Sequence, residues 1–335
     1  MYYMSDEDFL KTSKTIVQEK QEVILKESKF QSSKIIPYKG KTVRKFEFRP
    51  ATWKQFIGQE EAKERAKTIV KKSQKGMKTH FLVDGIKGHG KTTFVELIAK
   101  DLNAHIIKRI GKQIDEENLV EAINEINASK SNTVMFFVDE IDSMDWEVIK
   151  ILNPIIESFE YEGIPIKPFI FAGATINKYL LVQNNPDTLD RIPAHIKFSR
   201  YNTKEISIIL TQYQQQLYAD YKITPEVIIQ LSNNCKFNPR TAICLMEDYL
   251  VDNDLRKVLK NHKIIKDGLT DIDIKILNIL SKESAPIGAN CLALICGLGQ
   301  KEYEKVYEPF LLEYGYINRR PRGRIITEKG REILK

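Results

Sequence analysis

The stretch HFLVDGIKGHGKTTFVELIAK, residues 80–100, sets a short apolar run ahead of three glycines, a lysine and two threonines, then continues in an amphipathic helical pattern. Gly85-x-x-x-x-Gly90-Lys91-Thr92 has the spacing of a phosphate-binding loop. Glycine reaches positive φ at no steric cost, so successive backbone N–H groups turn toward one point. The helix that follows adds its unpaired first-turn amides and the positive end of its dipole. Lys91 reaches the β and γ oxygens of a triphosphate, and the Thr92 hydroxyl offers a ligand to Mg²⁺. Gly85, Gly88, Gly90, Lys91, Thr92 and Thr93 are therefore the expected cradle, with ATP and Mg²⁺ as cofactors. The strand before and the helix after separate this reading from an ordinary glycine turn.

The second part of such a site stands at VMFFVDEID, residues 134–142. Asp139 closes a fully apolar strand, at the end where α/β sheets bind ligands. A carboxylate there holds Mg²⁺, and the adjacent Glu140 polarises an attacking water. This acidic pair after a phosphate loop points to the AAA+ class of ring-forming ATPases. Three further positions fit that class. In FAGATINK (171–178), Thr175 or Asn177 senses the γ-phosphate, and the sequence does not choose between them. In TLDRIPAHIKF (188–198), Arg191 stands where the class places an arginine finger that acts on a neighbouring subunit's nucleotide. In NPRTAI (238–243), Arg240 opens a helix and is positioned to contact the γ-phosphate of its own site.

The rest of the chain organises around this centre. Residues 1–44 read as a basic, polar N-terminal extension, with some helical potential in KTIVQEKQEVILKE. From 45 to 200, apolar runs at 80–85, 132–140 and 167–175 alternate with amphipathic helices, as expected of a parallel sheet covered on both faces. Beyond Arg200 the strands stop. Thr224-Pro225 and Asn238-Pro239 pair a capping oxygen with a first-turn proline, marking a small helical lid over 201–265. The last unit, 266–335, reads as three helices beginning at Thr270, Ala289 and Gln300, then strand, Arg/Pro/Gly turn and strand, which is the order of a winged helix. The expected fold class is thus α/β: an AAA+ P-loop domain with a parallel sheet, a helical lid and a C-terminal winged helix.

Net charge is +7, and its placement matters more than its size. Residues 26–49 hold eight Lys/Arg against two Glu, and NRRPRGR (318–324) packs Arg319, Arg320, Arg322 and Arg324 onto one turn. Such clusters favour polyanions, and a wing without stacking aromatics suits duplex backbone. Four dispersed cysteines without a C-x-x-C pair read as reduced core thiols of a cytoplasmic protein rather than a zinc site. No secretory leader is visible, and no apolar run approaches the roughly 18–20 residues that cross a bilayer.

From residue 48 to the C-terminus the chain resembles the RuvB family, hexameric motors that drive branch migration of Holliday junctions. The resemblance is carried by FRPATWKQFIGQEEAK (48–63), GHGKTT, FFVDEID, FAGAT, LDRI and NPR, and most specifically by GLTDIDIKIL and VYEPFLLEYGYINRRPRGRIITEKG. It implies that Arg49, Pro50 and Ile57 lie near the adenine, that the wing arginines meet duplex or four-way-junction DNA, and that the chain forms a homo-hexameric ring. The sequence departs from the family in two places. Where RuvB carries a long hairpin that docks its partner RuvA, SFEYEGIPIKPF (158–169) is about a dozen residues short, which puts a standard RuvA contact in doubt. The basic extension is the second departure. The function expected is an ATP-driven DNA translocase. The alternatives are an AAA+ loader that recruits a helicase or clamp without translocating, and, less favoured, a protein remodeller whose arginine wing binds no nucleic acid.

Overall fold

The computed structural model describes residues 48–179, 181 and 186–335. The N-terminal extension expected over 1–44 lies outside the described residues.

The phosphate loop leaves the C-terminal end of an inner strand of a five-stranded parallel sheet. Its strands are β1 (Phe81–Asp84), β2 (His105–Ile110), β3 (Val134–Asp139), β6 (Ile170–Thr175) and β7 (Ala194–Lys197), in the order β2-β3-β6-β1-β7. β4 (Glu160–Tyr161) and β5 (Ile164–Pro165) form a separate small hairpin. The three strands expected from apolar runs are the central ones, β1, β3 and β6, buried on both faces. The two edge strands were not visible as apolar runs. β2 buries only Ile107 fully and turns Lys108 and Arg109 to ion pairs with Glu96 and Glu125. β7 is only four residues long.

Each face of the sheet carries its own core. One gathers Leu82, Phe136, Val138 and Phe171 with helices α3 (Glu116–Ala128) and α4 (Trp146–Ser158). The other gathers Phe81, Val83, Phe137 and Ala172 with α1 (Glu60–Gln74) and α2 (Lys91–Asp101). Alternate residues of one strand feed the two cores because successive side chains of a strand point to opposite faces. All five strands run the same way, so their C-terminal ends, bearing Asp84, Asp139 and Thr175, reach one edge of the sheet.

The lid helices are α6 (Thr203–Leu217), α7 (Pro225–Asn233), α8 (Pro239–Asp252) and α9 (Leu255–Asn261), after a short α5 (Pro186–Arg191) in the sheet domain. Asn202 and Glu205 close a reciprocal capping box on α6, and Asn238 caps α8 through Arg240 N–H. Both X-Pro pairs do open helices, although the Thr224 hydroxyl makes no cap bond. Strands do not end at Arg200: Ile264–Lys266 and Leu269–Thr270 pair as a small hairpin, β8 and β9, between lid and winged helix.

The winged helix is built from α10 (Asp271–Lys282), α11 (Ala289–Cys296) and a third helical segment, closed by the hairpin β10 (Ile317–Arg320) and β11 (Gly323–Ile326). The third segment is not one continuous α-helix. It runs Gln300–Glu302, widens to a π turn over Tyr303–Tyr307 and resumes at Glu308–Glu313. Pro309 has no N–H to return to the carbonyl four residues back, so a regular turn cannot pass through it.

Among the cysteines, Cys235 and Cys296 are buried as expected of core thiols, whereas Cys244 and Cys291 are exposed, on helix faces turned to solvent. Among the described residues no helix is long and apolar enough to cross a membrane.

Lid and winged helix are fastened by a buried carboxylate. Asp273 is fully buried; its Oδ2 accepts from Thr270 N–H at 2.8 Å, from the Thr270 hydroxyl at 2.7 Å and from Lys236 of the lid at 2.5 Å. Phe237 stacks flat on Tyr314 with centroids 4.9 Å apart, and Asn234 accepts from Gly268 N–H. Asp273→Ala removes the side-chain half of the α10 capping box, whose N-cap is Thr270, and strands the Lys236 ammonium, so it should lower stability by about 2–3 kcal/mol. Chemical denaturation followed at a probe in the winged helix measures that loss, and an unchanged midpoint contradicts the assignment.

Candidate functional site

Between β1 and α2 the backbone makes the turn that the glycines allow. Gly88 has φ 85° and Gly90 has φ 90°. A Cβ on Gly88 would stand 2.6 Å from Asn238 Oδ1 and 3.1 Å from Arg240 Cβ, so this glycine also admits the lid to the loop. Lys91, at 8% exposure, donates to the carbonyls of Gly85 at 2.6 Å and Ile86 at 3.1 Å. Burial pulls its pKa below the ordinary lysine value, and Asp139, Asp84, Asp142 and Glu140 recover only part of that shift. The Thr92 hydroxyl donates to Asp139 Oδ2 at 2.7 Å, which joins the first turn of α2 to the end of β3. Glu140 follows in a left-handed conformation (φ 53°), its carboxylate 3.6 Å from Lys87 Nζ.

These groups line one cleft of about 270 Å³, with Gly88, Gly90, Lys91, Thr92, Thr93, Asp139 and Glu140 on its walls. Thr175 reaches it from the end of β6. Its hydroxyl is fully buried, donates to Asp142 Oδ1 at 2.6 Å and accepts from Asn177 N–H at 2.9 Å. Asn177 does not line the cleft. From the lid, Arg240 lines it, and Asn238 ties lid to loop by donating to Lys87 O at 2.9 Å.

Of the residues expected near the base, Arg49 lines the cleft, with Glu96 3.6 Å away, while Pro50 and Ile57 do not. The FIGQ segment lies underneath instead. Phe56 packs on Phe94 and Phe198, and Gln59 exchanges hydrogen bonds with Ser199. Gly85 is likewise a support, wedged against Phe198 and reached by Lys91 through its carbonyl. The apolar wall is made by Phe48, Tyr213, Pro239 and Ile243; of these the sequence singled out Pro239 alone, and only as a helix start. Phe48 meets Tyr213 edge to face at 6.5 Å. These residues come from three separate segments, and no local pattern links them.

His89 sits in the loop but away from the chemistry. It is 1% exposed beside Tyr201, and burial brings its pKa down to about 4, so the ring is neutral. Arg191 stands outside the cleft of its own chain. At 30% side-chain exposure it donates to Glu157 at 2.9 Å and to the Asp187 carbonyl at 2.9 Å.

The wing divides its four arginines. Arg320 and Arg322 are exposed at the two-residue turn between β10 and β11. Arg319 and Arg324 face one another across the hairpin, and both bind Glu308, a fully buried carboxylate at the exit of the π turn. Arg319 donates to it at 2.9 Å while its side chain stays 63% exposed; Arg324 donates at 3.0 Å with 14% exposed. Burial raises the Glu308 pKa, but the hydrogen bonds and charges of Arg324 and Arg319 outweigh it and the net shift is downward. The clamp therefore holds over neutral pH and fails on acidification through its lowered pKa. Arg324 is also stitched through its backbone to Ile287, which makes the hairpin continuous with the segment before α11.

A phosphate loop backed by an acidic strand end, a sheet ordered β2-β3-β6-β1-β7, a helical lid bearing an arginine over the cleft and a winged helix behind it together define an AAA+ ATPase. The profile described as the Holliday junction DNA helicase RuvB P-loop domain matches residues 48–183, and that of the RuvB C-terminal winged helix domain matches 266–335. The chain is 30% identical over 310 residues to the Holliday junction branch migration complex subunit RuvB of Ureaplasma parvum, covering 87% of this chain and 97% of that one. With the same subunit of Mycoplasma pneumoniae it shares 29% over 305 residues, 85% and 97% of the two chains. Its fold superposes on the Thermotoga maritima RuvB Holliday junction branch migration motor with a TM-score of 0.72 at 29% identity, over 85% of this chain and 97% of that one. The Aeropyrum pernix ORC2 protein, at 13% identity and a TM-score of 0.51 over 88% and 97% of the chains, shares the fold alone. The chain belongs to the RuvB family and is a nucleotide-binding P-loop ATPase.

Glu308→Gln leaves the Arg324 guanidinium without its counter-charge and should destabilise the winged helix by about 3 kcal/mol. The same loss should appear in the unmodified chain as pH falls below about 4.5, the ordinary glutamate value. Two-dimensional NMR of the winged-helix resonances against pH reads both effects, and a wing indifferent to the substitution contradicts the clamp.

Proposed function

We propose that the chain is an ATP-driven DNA translocase that moves branched DNA, a Holliday junction in particular, as a hexameric ring. The observation that carries this reading is the Thr92–Asp139 hydrogen bond inside the cleft. It sets a hydroxyl and a carboxylate side by side, a hard-oxygen pair suited to Mg²⁺. When bound, Mg²⁺ neutralises charge on the β and γ oxygens. In this reading Lys91 and the loop amides hold the phosphates, and Glu140 orients the attacking water. Thr175 senses the γ-phosphate, since it lines the cleft and Asn177 does not. Arg240 carries nucleotide state to the lid. Phe48, Tyr213 and Ile243 take the base. The division of labour follows the segments 45–200, 201–265 and 266–335.

Arg191 acts in trans. It lies outside its own cleft, at the end of a short helix, and its partners among the described residues are a solvent-facing glutamate and a carbonyl. Arg320 and Arg322 meet DNA phosphates, and the Glu308 clamp presents them. We place no RuvA contact on the β4–β5 hairpin, whose strands are two residues each and turn at Glu162 and Gly163. That reduction favours the second reading, a loader that binds DNA and a partner yet moves no junction. A branch-migration assay on a four-way junction separates the two.

Lys91→Ala and Arg191→Ala should each lose about 10³-fold or more of the DNA-stimulated ATPase rate. Mixing the two inactive variants should restore part of it, because a mixed ring pairs an intact Lys91 with an intact Arg191 across an interface. No restoration means that the arginine does not act between chains. Glu140→Gln should still bind ATP while hydrolysing it at least about 10²-fold more slowly. Replacing Arg320 or Arg322 by Ala should each reduce the slope of log K for DNA against log salt by about 1. An ATPase rate blind to both duplex and junction DNA defeats the proposal.

A further inference from the structure

The outer face of the lid gathers three metal-ligating side chains that the nucleotide chemistry does not use. Cys244 and Asp248 stand four residues apart on α8, and therefore on one face of that helix. After α8 the chain reverses at Asn253 (φ 51°), and Asp254 caps α9 by accepting from Arg256 and Lys257 N–H. Val258, fully buried in the lid core, anchors α9 against α8. This antiparallel return delivers His262, the residue that closes α9, to the Cys244/Asp248 face. His262 Nε2 lies 2.6 Å from Asp248 Oδ2, and one donor atom from each of the three residues falls within 4.8 Å of the others. The neighbouring Glu247 is engaged elsewhere, accepting from the hydroxyls of Tyr213 and Tyr218.

We propose that Cys244, Asp248 and His262 form a zinc site on the lid, with solvent in the fourth position. One thiolate, one imidazole and one carboxylate match the donors that Zn²⁺ accepts, and three protein ligands with an open fourth position is a recurrent zinc arrangement. Pairs of donors on a tetrahedral ion at about 2.0–2.3 Å stand some 3–4 Å apart, so the His262–Asp248 pair at 2.6 Å opens on binding while any donor pair beyond that range, up to the present limit of 4.8 Å, draws in. As the ion binds, the Cys244 thiol proton passes to solvent, and so does the proton that His262 Nε2 donates to Asp248, with Nδ1 keeping the ring's one N–H; the freed nitrogen and the carboxylate then each bond the ion. The site bears on the motor through position. Cys244 follows Ile243, which lines the nucleotide cleft, on the helix whose first turn holds Asn238 and Arg240. A zinc ion there ties α8 to the end of α9 and stiffens the element that reports nucleotide state. The site stands whether or not the chain translocates DNA.

The test uses untagged full-length protein equilibrated with Zn²⁺, or with Co²⁺ as a spectroscopic probe, and then dialysed against a weak chelator. The expected results are one equivalent of metal per chain, a thiolate-to-cobalt charge-transfer band, and a melting temperature about 5 °C higher with Zn²⁺ at 100-fold its dissociation constant. Cys244→Ser should remove the band and weaken affinity at least about tenfold, with His262→Ala weakening it similarly. Cys291→Ser, at the other exposed cysteine, should change neither. All three substitutions lie at or near the surface, and circular dichroism without metal verifies their folding. Metal lost on dialysis, a spectrum without a sulfur band, or Cys244→Ser binding as tightly as the parent each overturns the site.

Discussion

The hydrogen bond from the Thr92 hydroxyl to Asp139 ties together the two ideas on which this molecule is built. One is a helix whose first turn leaves its amides open to phosphate. The other is a parallel sheet whose strand ends converge on the same edge. The bond exists because β3 lies two places from β1 in the sheet, with β6 between them. That order brings the ends of β6 and β3, with Thr175 and Asp139, to the same flank of the loop, one strand and two strands away from β1. Lys91 depends on the same arrangement. Its ammonium is buried at a cost that only the surrounding carboxylates and two loop carbonyls offset.

From that pocket, contacts lead outward without a break. Asn238 connects the loop to the lid through Lys87, and the lid connects to the winged helix through Lys236–Asp273 and the Phe237–Tyr314 stack. Arg200, at the end of the sheet domain, pairs with Glu313 and faces the Tyr314 ring. Tyr201, its neighbour, donates to the carbonyl of His89 within the phosphate loop. Packed and hydrogen-bonded contacts thus run from the phosphate loop through the lid to the winged helix.

The wing shows how a basic cluster is divided between architecture and contact. A two-residue turn cannot hold four guanidinium groups at random. Glu308 takes the inner pair, which lie opposite each other on the hairpin, and leaves the outer pair in solvent. Burial of that carboxylate is tolerable because both oxygens are satisfied by charged donors. The π turn ahead of Glu308, imposed by Pro309, sets the phase at which its side chain enters the core.

Much of this was legible in the residues alone, because it rests on local spacing. The phosphate loop, the acid at the end of an apolar strand, the Asn238-Pro239 helix start and the strand-turn-strand at the C-terminus each depend on a few consecutive positions and on backbone periodicity. The edge strands β2 and β7 were not legible, since a strand interrupted by Lys108 and Arg109, or only four residues long, lacks the apolar run that marks a central one. Tertiary structure alone decided which partner each side chain found. It brought Thr175 rather than Asn177 to the cleft, set the FIGQ segment beneath the loop, assembled the apolar wall from Phe48, Tyr213 and Ile243, turned Arg324 onto Glu308 and carried His262 to Cys244. The physical reason is common to all five. A sequence records the period of its backbone within a turn or two, whereas the neighbour of a side chain is set by packing between segments tens of residues apart.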